Sequence, residues 1–254
     1  MFKASTPRVQ QLADKFPNIV NELDSLLTGP THMYVDWQNV IHFKDKLGWR
    51  IDEKRLMQFL RSFGQIKVIS LYTGTLEGNM QSENCIKDMI NIGYKVETKP
   101  VKLMPYSVNA SSVPLNSPAL LQPFIKKPLL SLLNLNVVEF LNNYLAELNK
   151  LGTYAIEDKK CNFDVEIGRD LYRDLDSKVP ETFVLWSGDS DFVNPIKEIM
   201  DAKKRAILFA SSGLVATELA ELKPVIFEVK KIKEFICWKQ DLSPQIKAYL
   251  GMKP

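Results

Sequence analysis

Residues 182–192 read TFVLWSGDSDF. An apolar run, 183–186, stops at a small-residue turn, Ser187-Gly188. Asp189 and Asp191 follow, with Ser190 between them. Phe192, Val193, Ile196, Ile199 and Met200 then recur at helical spacing. A short apolar run closed by a turn and followed by a 3.6-residue stripe predicts a buried strand, a tight turn and a helix. In an open α/β sheet, ligands bind outside the carboxyl ends of the strands. Two aspartates placed there repel each other, and a proton, a basic side chain or a metal ion must offset the repulsion. Either Ser190 or Asp191 also suits a helix cap, and capping is compatible with metal binding.

The same rhythm runs through most of the chain. Residues 32–35 form a short apolar strand ending in Asp36, within YVDWQNV. Asn39, three residues on, is placed to hydrogen-bond that carboxylate and fix its direction. Residues 51–63 read as an amphipathic helix stopped by Gly64. Residues 66–72 read as a strand followed by a Thr73-Gly74-Thr75 loop. A helix over 79–91, closed by Gly93, and a strand over 94–99 come next. Asp164 opens a helix in which Ile167, Leu171 and Leu175 share a face, and Gly168 reads as a point of close approach for backbone or ligand. Asp170 lies about 240° round that helix from Asp164, which makes it a poorer member of the same site. Strands over 206–210 and 225–229 complete the series, separated by a helix over 214–222. Such alternation indicates a mostly parallel sheet with helices on both faces.

Two regions depart from it. Residues 8–27 carry a helical stripe (Val9, Leu12, Phe16, Ile19, Val20, Leu23, Leu26, Leu27) interrupted by Pro17, so two short helices are expected. This N-terminal helical arm, 1–30, docks on the following domain, 31–254, or on a second copy, which would make a homodimer. Residues 100–128 hold six prolines, which prevent a continuous helix or an interior strand. With the helix over 135–151, they form a long insertion at about 100–150. There Tyr106, Phe124, Lys126 and Lys127 would suit bases and phosphates.

Composition excludes several classes. Apolar content of 45% is that of an ordinary globular core. The net charge of +3 is weak evidence for an anionic partner. Three widely spaced cysteines have no zinc-like spacing and read as reduced, buried thiols in a cytoplasmic protein. The most apolar region, 129–145, is interrupted by Asn134, Asn136, Glu139 and Asn142 and is too polar to span a bilayer. With only His32 and His42 present, no histidine pair or Ser-His arrangement competes for a catalytic role.

At VDWQN, at the run from Lys160 to Glu166 (KCNFDVE) and at SGDSDF, the chain resembles the NYN domain family, the LabA-like branch of the PIN-domain-like nucleases. The three motifs stand in the family's order, over roughly 31–229. The resemblance implies a Rossmann-like (PIN-like) α/β fold and hydrolysis of RNA phosphodiester bonds, with single-stranded RNA as partner. It also implies a Mg²⁺ or Mn²⁺ site built from Asp36, Asp164, Asp189 and Asp191. Asn39 becomes its polar neighbour, and Lys160, heading the second motif, faces a phosphate. Thr73, Ser187 and Ser190, at the carboxyl ends of strands, are further candidate substrate-binding groups. Glu166 and Asp170 also match the family pattern. Cys161 stands where glycine is common, and the insertion is long for the family. An RNA-binding or regulatory scaffold with little turnover is the alternative, motivated by the arm, the insertion and the basic segments near Lys126 and Lys230. A phosphatase of the haloacid dehalogenase type needs a second Asp two residues after Asp36, where this chain has Gln38.

Overall fold

The computed structural model describes residues 1–107, 114–122, 124–150, 155–211 and 213–252, without the side chains of 42–46, 103–107, 149 and 155–160. The contacts expected of Tyr106 and Lys160 therefore lie outside the described residues, as does the side chain of His42. The chain forms two compact units, Met1–Pro100 with Cys161–Pro254, and Val101–Lys160.

The first unit begins with α1 (Pro7–Lys15) and α2 (Pro17–Leu26). Each starts at a proline, which costs nothing at a position whose N–H has no helical partner. Next come β1 (Thr31–Asp36), α3 (Trp37–Leu47), α4 (Glu53–Leu60), β2 (Ile66–Thr75), α5 (Met80–Ile92) and β3 (Lys95–Pro100). The second unit holds β4 (Lys102–Ser107), α6 (Lys127–Leu130), α7 (Leu135–Lys150) and β5 (Ala155–Lys160), with β4 and β5 paired antiparallel. Pro105 is tolerated in β4 because a two-stranded sheet has only edges. Val138, Leu130 and Leu121 form a small core of that unit's own. The first unit resumes with α8 (Asp164–Ser177), β6 (Thr182–Trp186), α9 (Val193–Asp201), β7 (Arg205–Ala210), α10 (Thr217–Glu221), β8 (Val225–Glu228), α11 (Lys233–Ile236) and α12 (Pro244–Tyr249).

The six strands of this unit form one sheet in the order β3-β2-β1-β6-β7-β8, parallel throughout. Strand alternation sends Met33, Val35, Val184 and Trp186 to one face, where Val9, Leu12, Leu23, Phe59 and Phe235 cover them. Tyr34, Phe183 and Leu185 point to the other, under Ile167 and Leu171 of α8 and Ile196 and Ile199 of α9. Both faces are buried, which is why these strands read as unbroken apolar runs. The N-terminal helices are part of the first core. Among the described residues no helix is long and apolar enough to cross a membrane.

Several local expectations change. Thr73-Gly74-Thr75 is not a loop: β2 runs through Thr75, with Thr73 paired to Thr98 of β3. β-Branched threonines suit a pleated edge, and they outweigh the glycine. The helix expected over 51–63 shortens, because Asp52 caps it by accepting from the Arg55 N–H (2.9 Å) while Ile51 bridges Cys237. No other described residue packs closely on Gly168, since a Cβ there would meet no protein atom within 4 Å. Of the three free thiols only Cys237 is buried; Cys85 is exposed and Cys161 half-buried.

Candidate metal centre

Strands β1 and β6 are sheet neighbours from which the chain winds outward in opposite directions, β1 to β2 and β3, β6 to β7 and β8. That reversal is the topological switch point of a doubly wound sheet, where a crevice opens beyond the strand ends. Asp36 is the last residue of β1, and the turn after β6 carries Ser187 to Asp191. Helix α8 begins at Asp164. Three segments far apart in sequence therefore deliver carboxylates to one mouth.

Asp164, Asp189 and Asp191 each offer a carboxylate oxygen, and these atoms all lie within 4.8 Å of one another. Asp189 also caps the short 3-10 turn Ser190–Phe192: its Oδ1 accepts from the Asp191 N–H (3.3 Å) and from the Ser190 hydroxyl (3.5 Å). Asp36 stands one step behind this trio and is 7% exposed. Its carboxylate accepts from the Asn39 N–H (3.2 Å) and the Asn39 side-chain amide (3.3 Å). The same amide donates to Ser187 Oγ (3.0 Å), which also accepts from the Asp189 N–H (3.3 Å) and donates to Asp36 Oδ2 (3.5 Å). Ser187 thus joins Asp36 to the turn that carries Asp189. Thr73 is 5% exposed and takes a long hydrogen bond from the Gln38 amide (3.5 Å).

The charges at this mouth are under strain. Burial, a hydrogen bond with Asp191 and the negative charges of Asp189 and Asp191 push the Asp164 carboxyl up to about 6, against the pull of Asn162. Burial also raises Asp36, helped by the charge of Asp189 and opposed by Asn39 and Ser187. Without a cation, the mouth relieves its repulsion by taking up a proton as the pH falls toward about 6. Groups with raised pKa add stability at low pH and lose it as pH rises through the folded value. Asp174 and Glu166 are held below their usual range by His32 and Tyr34 and by Lys99 respectively, so their own losses come only below about pH 4. The metal-free protein is therefore expected to melt at higher temperature at about pH 5 than at about pH 7.5, and Asp164→Asn should flatten that rise. Thermal melts in chelator read both; a flat wild-type profile over this interval would contradict the coupling.

Sequence reasoning left Glu166 and Asp170 without roles and passed over Asp174. The structure ties all three to the sheet. Glu166 meets Lys99 Nζ of β3 at 2.7 Å. Asp170 accepts from the Tyr72 hydroxyl of β2 (2.9 Å) and pairs with Arg169 and Arg173. Asp174 takes the Tyr34 hydroxyl of β1 at 2.5 Å and lies 2.7 Å from His32 Nδ1. The four-residue spacing of these carboxylates was the available signal. Gly188 was read only as part of a turn, yet a Cβ there would lie 1.9 Å from the Leu214 carbonyl oxygen.

Residues 136–227 match the family model described as NYN domain. That stretch carries the NYN domain pattern, and the chain is similar to a LabA protein. The chain is 22% identical over 206 residues to the low amplitude and bright protein LabA of Synechococcus elongatus, covering 80% of this chain and 86% of LabA. Its fold resembles the crystal structure of a protein of unknown function, VPA0982 of Vibrio parahaemolyticus, with a TM-score of 0.51 and 13% identity over 83% of this chain and 96% of that one. The all-parallel sheet flanked by helices is the PIN-like α/β architecture.

Proposed function

We propose that this protein is a divalent-metal-dependent ribonuclease that hydrolyses phosphodiester bonds of single-stranded RNA at the mouth between β1 and β6. The observation that carries the reading is the convergence of Asp164, Asp189 and Asp191, with ligand atoms within 4.8 Å of one another, at the switch point of a parallel sheet. The donor set fits Mg²⁺ or Mn²⁺: hard carboxylate oxygens, few enough to leave room for waters and a substrate phosphate. The carboxyl that is readily protonated when no cation is present, Asp164, is the one that a cation would keep ionised.

Asp164, Asp189 and Asp191 would hold the metal, which when bound polarises a phosphoryl oxygen and lowers the pKa of its water. The chain's own groups do the rest. Asn39 and Ser187 hold Asp36 in one orientation, behind the trio, where its charge adds to the field of the mouth. The Ser190 hydroxyl, beside Asp189 at the exposed end of the turn, faces an incoming phosphate. Asn39 acts through Asp36 as a positioning residue.

The test is a labelled single-stranded RNA incubated with the full chain in Mn²⁺, in Mg²⁺ and in chelator, beside Mn²⁺ calorimetry. Cleavage that requires the metal, with a saturable Mn²⁺ heat lost in Asp164→Asn, is the expected result. Tight RNA binding with no cleavage in any divalent metal would instead mark a binding scaffold, and cleavage in chelator would remove the metal from the chemistry.

A further inference from the structure

Three of the chain's four tryptophans, Trp37, Trp49 and Trp238, line one pocket of about 220 Å³, together with Arg50, Glu53 and Cys85. Its walls are fixed. Trp37 and Trp49 are 4% and 6% exposed. The Trp238 indole donates to the Ile51 carbonyl (2.9 Å), its backbone N–H donates to the Arg50 carbonyl (3.0 Å), and the Arg50 guanidinium lies over its ring at 4.6 Å. The volume is below the range of drug-sized ligand sites and suits a single flat ring system. The half-buried Trp238 indole offers stacking surface to any nucleobase, with Trp37 and Trp49 as the pocket's apolar walls. Glu53 supplies the polar handle: its carboxylate is desolvated by burial, and among the described residues no cation is paired with it.

The pocket and the acidic mouth share a helical turn. Trp37 follows Asp36 directly and opens α3, and Val40 and Ile41, one turn on, line the pocket with it. Asn39 lies about 200° round the helix from Trp37 and is bonded to Asp36. A helix with its side chains is about 10–12 Å across, a distance that a few nucleotides of extended strand span.

We propose that this pocket receives one nucleobase, guanine by preference, of the RNA strand whose phosphate lies at the Asp164, Asp189 and Asp191 mouth. The inference rests on the ribonuclease reading for the identity of the strand. A carboxylate accepts from adjacent donors on a Watson–Crick edge, and guanine presents N1–H and N2–H together. Uracil presents a single N–H between two carbonyls that a carboxylate repels. The guanidinium of Arg50 at the rim meets the sugar-phosphate that follows.

The test titrates the tryptophan fluorescence of the full chain with GMP, AMP, CMP and UMP in chelator, so that no cleavage contributes. Saturable quenching is expected, with GMP roughly tenfold tighter than UMP, the discrimination of one bidentate pair. Glu53→Gln should erase most of that preference. GMP should also slow alkylation of Cys85, the exposed thiol at the pocket. Cleaved RNA should show ends at a fixed offset of a few nucleotides from a guanine. No saturable quenching and no protection of Cys85, in a protein that cleaves RNA, would overturn the base pocket and leave the ribonuclease standing. Equal quenching by all four nucleotides, unchanged in Glu53→Gln, would overturn recognition by Glu53. Guanine-selective quenching without RNA cleavage would keep the pocket and remove the ribonuclease reading.

Discussion

Asp189→Asn should lower RNA cleavage by about a thousandfold, the rate equivalent of several kcal/mol of lost charge stabilisation at a metal-assisted phosphoryl centre. The fold should survive the change. Asp189 has two duties, and asparagine keeps one of them. Its Oδ1 still accepts from the Asp191 N–H and the Ser190 hydroxyl, so the 3-10 turn stays capped. Its charge is lost, and with it one ligand of the trio and one source of the repulsion that raises Asp164 and Asp36. Melting temperature in chelator should thus hold or rise slightly while activity falls. Mn²⁺ should raise the melting temperature of the wild type, since a ligand at about a hundred times its Kd adds about 2.7 kcal/mol, and the variant should lose most of that gain. Equal cleavage by wild type and variant, with both folded, would refute the assignment of Asp189.

Gly188→Ala should do damage of a different kind, destabilising the fold by on the order of 3 kcal/mol. The added methyl would sit 1.9 Å from the Leu214 oxygen and 2.9 Å from its carbonyl carbon. Those are backbone atoms, so no rotamer change relieves the clash. The Gly188 carbonyl also accepts from the Ala216 N–H at 2.8 Å. The loop after β7 is therefore clasped to the turn after β6, and separating them drags the turn that bears Asp189 and Asp191. Denaturant unfolding and cleavage should fall together, in contrast to Asp189→Asn. An alanine variant as stable as the wild type would show that the loop yields freely.

Much of this was legible in the letters for a physical reason. Strands buried on both faces must be apolar throughout, so 32–35 and 182–186 stood out, and aspartates placed just past such runs could be assigned to the mouth of a sheet. The tie from Asn39 to Asp36 followed from a three-residue spacing. What the letters hid was non-local. β5, AIEDKK, has no strand periodicity of its own and exists by pairing with β4. Helix α3 begins directly at Trp37 without a loop, and its apolar positions serve a pocket whose other wall, Trp238, lies some two hundred residues away. Leu214 gives no sequence sign that its carbonyl presses on Gly188.

The three carboxylates spaced along α8 have an outcome for tolerance to change. Glu166, Asp170 and Asp174 moor one rod to three successive planks, β3, β2 and β1. A rod moored at several points keeps its heading when any single rope is cut. Drift at Tyr34, Tyr72 or Lys99 can therefore accumulate singly over evolutionary time without swinging Asp164 off target.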